Sequence, residues 1–526
     1  MNDMTGGSRG PRRAAALALV TAVAALTTAC GVVHVHFGSS GGAAPAGSAT
    51  YRAKLAYAQC MRAHGLPAFP NPSRSGGPSF QLNADPNSPA GRANDACQHL
   101  LSHGSTGTGG AAATARLPGA VAADCLASRP TCDTPRQLRV AYGIQPLLDR
   151  GVTGRGQTVV LPEFPPSAAG SPSAGTGVPV PAVTDIRRDL ARFDARFGLP
   201  AARLEVVNTL AHEASPWLAS TEEVGDTEIV HALAPDAAIR EVLIPSPYPA
   251  SLGRASAAVV AALRLGLAQG GVISFSGGTG EQCVTAAEVA QVNAVLQAAQ
   301  RDRVTVVVST GDSGAATTAC PPETGSAAVK GVDLPASDPL TLAVGGTSLQ
   351  ASRATGAFIG ETAWSMPPSA GGPAAGGGGF SRLFPRPAYQ DGIAGIGAAR
   401  GVPDVAADAD HRTGMAIAFS RGGKDYTLIG GGGVSVAAPL WAAVIALADQ
   451  YAGRDLGFVN PALYRIGRSA YYHQAFHDVT TGTNTVTFPA QTIPGYQAAP
   501  GWDPVTGWGS PNARVLVPLL ARYLSP

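Results

Sequence analysis

The sequence predicts an α/β fold: a doubly wound, mostly parallel sheet with helices on both faces, preceded by a small disulfide-containing helical module. Two observations carry that expectation. From about residue 117 onward, short runs apolar along their whole length recur: QTVVLPEF, AAIREVLIP, GVISFS, VTVVVSTGDSG and LTLAVGG. Strands covered on both faces have this composition, whereas half-exposed strands alternate. Between the runs lie stretches of helical period, TDIRRDLARFDARFG, SAAVVAALRLGLAQ and AAEVAQVNAVLQAAQ. Such alternation implies right-handed crossovers and a parallel sheet. Chemistry in these sheets sits just beyond the carboxyl ends of the strands, so functional residues are sought there.

Composition narrows the function. A hydrophobic fraction of 45% against 14% charged residues suits a large packed core and excludes a disordered chain. With a net charge of +2 and no basic stripe, nucleic acid is not an expected partner.

The chain divides into five parts. Residues 1–30 carry Arg9, Arg12 and Arg13 ahead of the apolar run Ala14 to Ala25, which is the pattern of an export signal. It ends in Leu-Thr-Thr-Ala-Cys, a bacterial lipobox pattern except that Thr27 stands where an aliphatic residue is preferred. Cys30 is thus the candidate for lipid attachment to a membrane, and an extracellular or cell-surface location is expected. Residues 31–50 are linker in composition, 51–103 form a small cysteine-containing module, 104–116 are a second linker, and 117–526 are the main domain. Setting Cys30 aside, six cysteines remain and permit fifteen connectivities. Grouping by domain suggests Cys60 with Cys97, Cys125 with Cys132, and Cys283 with Cys320. No CxxC occurs, and disulfides in an oxidising compartment fit better than zinc.

Three segments hold chemistry. In GGGGVSVAAPLWAAVIALADQ a glycine-rich loop delivers Ser435 to the start of an apolar helix, with Pro439 expected in its first turn. Its backbone N–H lies near the positive helix end, suited to an oxyanion; a plain serine cap gives the same pattern. A nucleophilic serine needs a base, and the histidines fail. His103 lies in a linker, and His477, the partner that a Gly433-x-Ser435-x-Ala437 elbow would need, follows too closely for the required sheet. His64 reads as structural. Carboxylates offer the alternative. STEEVGDTEIVHALAPDA places Glu222 and Asp226 four apart on one helix face, a spacing of like charges that does not stabilise a helix. Buried together, such carboxyls are raised in pKa and become competent acids or bases. Asp312 ends the apolar strand VVVSTGD, where either an Asx-turn or catalysis would place an aspartate.

These three motifs, in this order, resemble the sedolisins, the serine-carboxyl peptidases (S53-like). Further landmarks are TPRQLRVAYGI, Ala232-Leu233-Ala234-Pro235, DLPASDPLTLAVGGTSL, GGGGFSRLFPRPAYQ and RGVPDVAADAD. The resemblance runs from about Arg116 to the C-terminus and implies a subtilisin-like sheet. It implies Ser435 as nucleophile, Glu222 (rather than Glu223) as its base, Asp226 supporting Glu222, and Asp312 as an oxyanion-hole acid. The implied activity is endopeptidase hydrolysis of polypeptides at acid pH through an acyl-enzyme. FHDVTTGTN and QAAPGWDPVTGWGSPN resemble the family's calcium loops. Asp478 and Asp503 would give carboxylates, and Val479, Ala499 and Gly501 carbonyls, to one Ca2+ with a water. A monomer is expected.

Several positions depart from the family pattern. Val434 stands for a usual Thr, Gly225 and Thr227 for bulkier apolar residues, Ala499 for Gly, and Gly277 for an aromatic. Residues 31–116 do not resemble the family's long folded pro-region. The last departure and Val434 favour an alternative, a non-catalytic surface binding protein on the same scaffold; the intact carboxyl and serine set favours the enzyme.

Overall fold

The Val- and Ile-rich runs become the strands of an eight-stranded sheet. In chain order these are β1 (Thr158–Glu163), β2 (Arg203–Asn208), β3 (Ala238–Leu243), β4 (Val272–Phe275), β5 (Thr305–Ser309), β6 (Leu342–Ala351), β7 (Phe358–Ala363) and β8 (Val405–Asp408). Their order is β7-β6-β5-β4-β1-β3-β2 with β8 beside β6, and only the β6–β7 pairing is antiparallel. The computed structural model describes residues 49–64, 93, 97, 132–164, 184–208, 218–244, 252–323, 326–369, 372–421, 425–489 and 491–524.

The helices that matter here are α1 (Ala49–Ala63), α2 (Pro135–Ala141), α3 (Ile186–Phe197), α4 (Thr221–Leu233), α5 (Leu252–Gln269), α6 (Ala286–Arg301), α7 (Val434–Ala452) and α8 (Ala513–Tyr523). Alternate side chains of each strand enter different cores, which is why the strands are apolar throughout. Val159 and Leu161 pack with Ile229 of α4 and Trp441 of α7, while Val160 packs with Leu263 of α5 and Leu296 of α6. Trp441 is fully buried and donates its indole N–H to the Ala406 carbonyl at 2.8 Å. Burial of a ring that size contributes about 3 kcal/mol. Helix α7 is long and apolar enough to cross a membrane, but 83% of its apolar stretch is buried inside the fold, so it is a core helix.

Chain order places the switch point at β1. After β2 and β3 fill one side of it, the chain crosses to β4 on the other. A crevice opens beyond the carboxyl ends of the strands at such a point. The RGVPDVA segment braces the nearby entry to β8, where Arg400 donates to both carboxylate oxygens of Asp404 at 2.7 Å, both side chains fully buried.

The chain falls into two compact units, Met1–Pro118 and Gly119–Pro526. Within the first, a disulfide joins Cys60 of α1 to Cys97, packed with Tyr57, Met61 and Ala93. His64 lies beside this disulfide, but both sulfurs are spent on each other and hold no metal. In the second unit Cys283 is bonded to Cys320. Cys132 is also disulfide-bonded; Cys125, its expected partner, and Cys30 lie outside the described residues.

Candidate active site

Helix α4 begins with a capping box. The Ser220 hydroxyl accepts from the Glu223 N–H at 3.3 Å, and the Glu223 carboxylate accepts from the Ser220 N–H. Glu223 is therefore committed to the helix end. Its neighbour Glu222 keeps an exposed face, and Asp226, one turn further on, is fully buried. Gly225 lets α4 approach the strand Ala416–Arg421, since a Cβ there would lie 2.9 Å from Ile417 Cδ1. Thr227 is turned the other way and donates to the buried Glu241 of β3 at 2.6 Å.

Helix α7 supplies the serine. Gly433 caps it at φ 88°, and a Cβ on Gly433 would sit 2.8 Å from Asp312 Oδ2, so glycine is required on both counts. The next N–H, of Val434, donates to Asp312 Oδ1 at 2.8 Å. Asp312 is thereby held against the helix start beside Ser435, whose own N–H is among the first-turn donors that no helical carbonyl takes. Val434 itself packs with Trp364 and Ala409. Pro439 falls not in the first turn but inside the helix. Lacking an N–H, it leaves the Ser435 carbonyl without its helical partner. The Ser276 hydroxyl, just past β4, lies 3.2 Å from that carbonyl and 3.1 Å from Asp226 Oδ2. One small side chain thus ties the nucleophile's backbone to the buried aspartate.

The carboxyls form a connected set. The Ser435 hydroxyl hydrogen-bonds to Glu222. Glu222 titrates above its ordinary range because protein crowds it; the Ser435 bond opposes the rise and Asp312 adds to it. Burial, and then the charge of Glu222, push Asp226 well up. Glu163, at the carboxyl end of β1, is hydrogen-bonded to Asp226 and raised by burial and by Asp226 itself. Two carboxyls bonded in this way share a proton. Burial pushes Asp312 up to about 6 against the Val434 N–H bond that lowers it. Glu163 and Ser276 escaped the sequence reading. The rule that singled out Asp312, a polar residue ending an apolar strand, applies equally to both.

His477, by contrast, stacks on Phe358 with ring centroids 3.7 Å apart, and burial lowers it to about 4. It takes no part in the site.

Over 417 residues the chain is 32% identical to kumamolisin from Bacillus sp. (strain MN-32), covering 77% of this chain and 67% of kumamolisin. It belongs to the sedolisin family of serine-carboxyl peptidases. Tripeptidyl-peptidase 1 from Homo sapiens is 30% identical over 270 residues, 47% of this chain and 43% of that protein. Among solved structures, Pseudomonas sedolisin, a serine-carboxyl proteinase complexed with two molecules of pseudo-iodotyrostatin, superposes with a TM-score of 0.58 at 25% identity, covering 74% of this chain and 97% of that one. No protein-family model matches. As a sedolisin-family member the chain is a hydrolase. At Gly277 a Cβ would lie 2.8 Å from Phe275 Cζ and 3.4 Å from Phe164 Cε2, so those two rings occupy the space a side chain would need.

The predicted calcium residues come together from two loops. Asp478 accepts from the Gly501 N–H at 3.1 Å, and Asp503 accepts from the N–H groups of Ala499, Val505 and Thr506 and from the Thr506 hydroxyl. Gly501 adopts φ 81°, whereas Ala499 is not at positive φ, so its replacement of glycine brings no strain. Asp503 is buried and raised to about 6, and among the described residues no Lys, Arg or His pairs with it or with Asp478. The Thr506 hydroxyl links the Val479 carbonyl to Asp503, and two carboxylates without a cationic side chain are a donor set that fits a hard divalent cation.

Proposed function

We propose that this chain is an exported endopeptidase that hydrolyses peptide bonds at acid pH through an acyl-enzyme, with a carboxyl pair in place of histidine. The observation that carries this reading is the hydrogen bond from the Ser435 hydroxyl to Glu222, made where Asp312 is bound against the first turn of the same helix. Ser435 Oγ attacks the scissile carbonyl carbon while Glu222 takes its proton. The Ser435 N–H and the Asp312 carboxylic acid receive the oxyanion. Glu222 then returns the proton to the departing amine, and a water activated by Glu222 releases the acid product. Asp226, sharing a proton with Glu163, holds Glu222 in place.

Asp312 donates only while protonated, so activity is present below about 6 and is lost as pH rises through that value. A quenched-fluorescent peptide library assayed from pH 3 to 8 tests this. Cleavage is expected on the acid side, with kcat/KM falling roughly tenfold per unit above the limb. Cleavage that grows toward pH 8 would sink the proposal, because it would require a base of the imidazole kind.

Asp478, Asp503 and the carbonyls of Val479, Ala499 and Gly501 would hold one Ca2+, which when bound cross-links the two loops as a hard Lewis acid. Chelation is expected to lower the thermal midpoint by roughly 5–10 °C, restored by calcium but not by magnesium. A midpoint indifferent to chelator at every calcium level would remove the ion from the account.

Export is supported by the basic-apolar segment at residues 1–30 and by disulfides, which persist in oxidising compartments. Cys30 is the proposed lipid attachment point, and a monomer acting on polypeptides is the proposed form. The division of residues 31–116 into linker, module and linker belongs to the same proposal.

A further inference from the structure

Just past Asp312 the chain builds a half-open cavity of about 150 Å³, bounded by Ala315, Lys330, Gly379, Phe380, Arg382 and Tyr496 among others. It adjoins the proposed site through backbone. Ala315 is three residues beyond Asp312, the Ala375 N–H donates to the Asp312 carbonyl at 2.9 Å, and the Gly377 N–H donates to the Gly311 carbonyl at 2.8 Å. Through these links the cavity wall is tied to the strand end that carries Asp312.

Two aromatic rings line it and its rim is cationic. Phe380 and Tyr496 meet edge to face at 5.6 Å. Gly379 sits at φ 151° with Tyr496 Cε2 3.1 Å from where a Cβ would lie, so a side chain there would press on the cavity wall. Lys330 Nζ stands 4.2 Å from the centre of the Tyr496 ring. The Arg382 guanidinium is anchored by Nη2 donating to the Lys330 carbonyl at 3.0 Å. Among the described residues no carboxylate forms an ion pair with either cation. The nearby acids are already engaged: Glu281 accepts from the Ser381 hydroxyl and, at 2.7 Å, from the Arg382 N–H, and Asp333 accepts from the Thr317 hydroxyl.

We propose that this cavity is a substrate subsite that selects a carboxylate side chain, Glu or Asp, in the polypeptide being cleaved. The carboxyl group enters past the aromatic wall and accepts from Lys330 and Arg382, whose charges no acid among the described residues answers. A Gln of the same shape lacks the charge, and a Lys is repelled. The inference rests on the peptidase reading above and adds to it the chemistry of the substrate.

The test uses the full chain at pH 5, where a free Glu side chain, with a pKa of about 4.3, is mostly ionised. Peptide sets carry Glu, Gln or Lys at each position around the scissile bond. At one position kcat/KM is expected to be about tenfold higher for Glu than for Gln and lower still for Lys, the size of one charge-assisted contact in a half-open site. Arg382→Ala and, separately, Lys330→Gln bring the Glu/Gln ratio toward one; the ratio is internal to each variant, so a change in overall rate does not obscure it. A parallel arm measures anisotropy of the same peptides, fluorescently labelled, binding to Ser435→Ala protein. Equal rates and equal binding for Glu and Gln at every position overturn the subsite, as does a preference that both substitutions leave untouched. Hydrolysis without Glu preference leaves the peptidase reading standing and removes the subsite. Glu-selective binding without hydrolysis in the wild type does the reverse.

Discussion

Ser435→Ala lowers kcat/KM for peptide hydrolysis by at least ~10⁴-fold, and Glu222→Gln by a similar factor, because nucleophile and base act as one unit whose losses do not add. The double variant is expected to be no worse than either single one. Glu223→Gln is the sharper control. That side chain serves the capping box of α4, a position where glutamine works as well as glutamate, so its activity stays close to wild type. Adjacent residues with such different consequences would locate the base at Glu222. If Glu223→Gln proved the damaging change and Glu222→Gln the mild one, the register of the site on α4 would be wrong.

The second large effect belongs to Asp312. Removing the side chain with Asp312→Ala costs about 10²–10³-fold in kcat, the usual loss for one oxyanion-hole donor. Asp312→Asn separates the donor from its titration. The amide oxygen can accept from the Val434 N–H as Asp312 Oδ1 does, leaving the NH2 to donate at every pH. The variant should therefore be less impaired than Asp312→Ala, and the loss of activity near pH 6 should vanish from its profile. A limb that persists unchanged in Asp312→Asn would assign the titration to another carboxyl and leave Asp312 with only a structural bond.

Much of this arrangement was legible in the residues. Strands covered on both faces announce themselves as unbroken apolar runs, and the doubly wound order then places Asp312 at a strand's carboxyl end. Glu222 and Asp226 stood out because their spacing is unfavourable for a helix and needs another cause. The resemblance, not the spacing, distinguished Glu222 from Glu223; the capping box supplies the physical reason. What escaped was convergence across long stretches of sequence. Glu163 and Ser276 reach Asp226 from β1 and from beyond β4, and nothing local to either residue marks that meeting. Pro439 is a similar case. A proline near a helix start is ordinary, and its effect, a Ser435 carbonyl freed for the Ser276 hydroxyl, becomes visible only when the helix start is fixed at Val434. The calcium loops were read from resemblance alone, since their carbonyl donors carry no side-chain signal.

Rapid acid quenching of the enzyme during turnover of a peptide substrate, followed by peptide mapping by mass spectrometry, shows directly whether Ser435 becomes acylated. An acyl mass is expected on the fragment containing Ser435, present at pH 4, absent in Ser435→Ala and strongly reduced in Glu222→Gln. Turnover at that pH with the fragment unmodified at every quench time, or with the adduct on another residue, would contradict it.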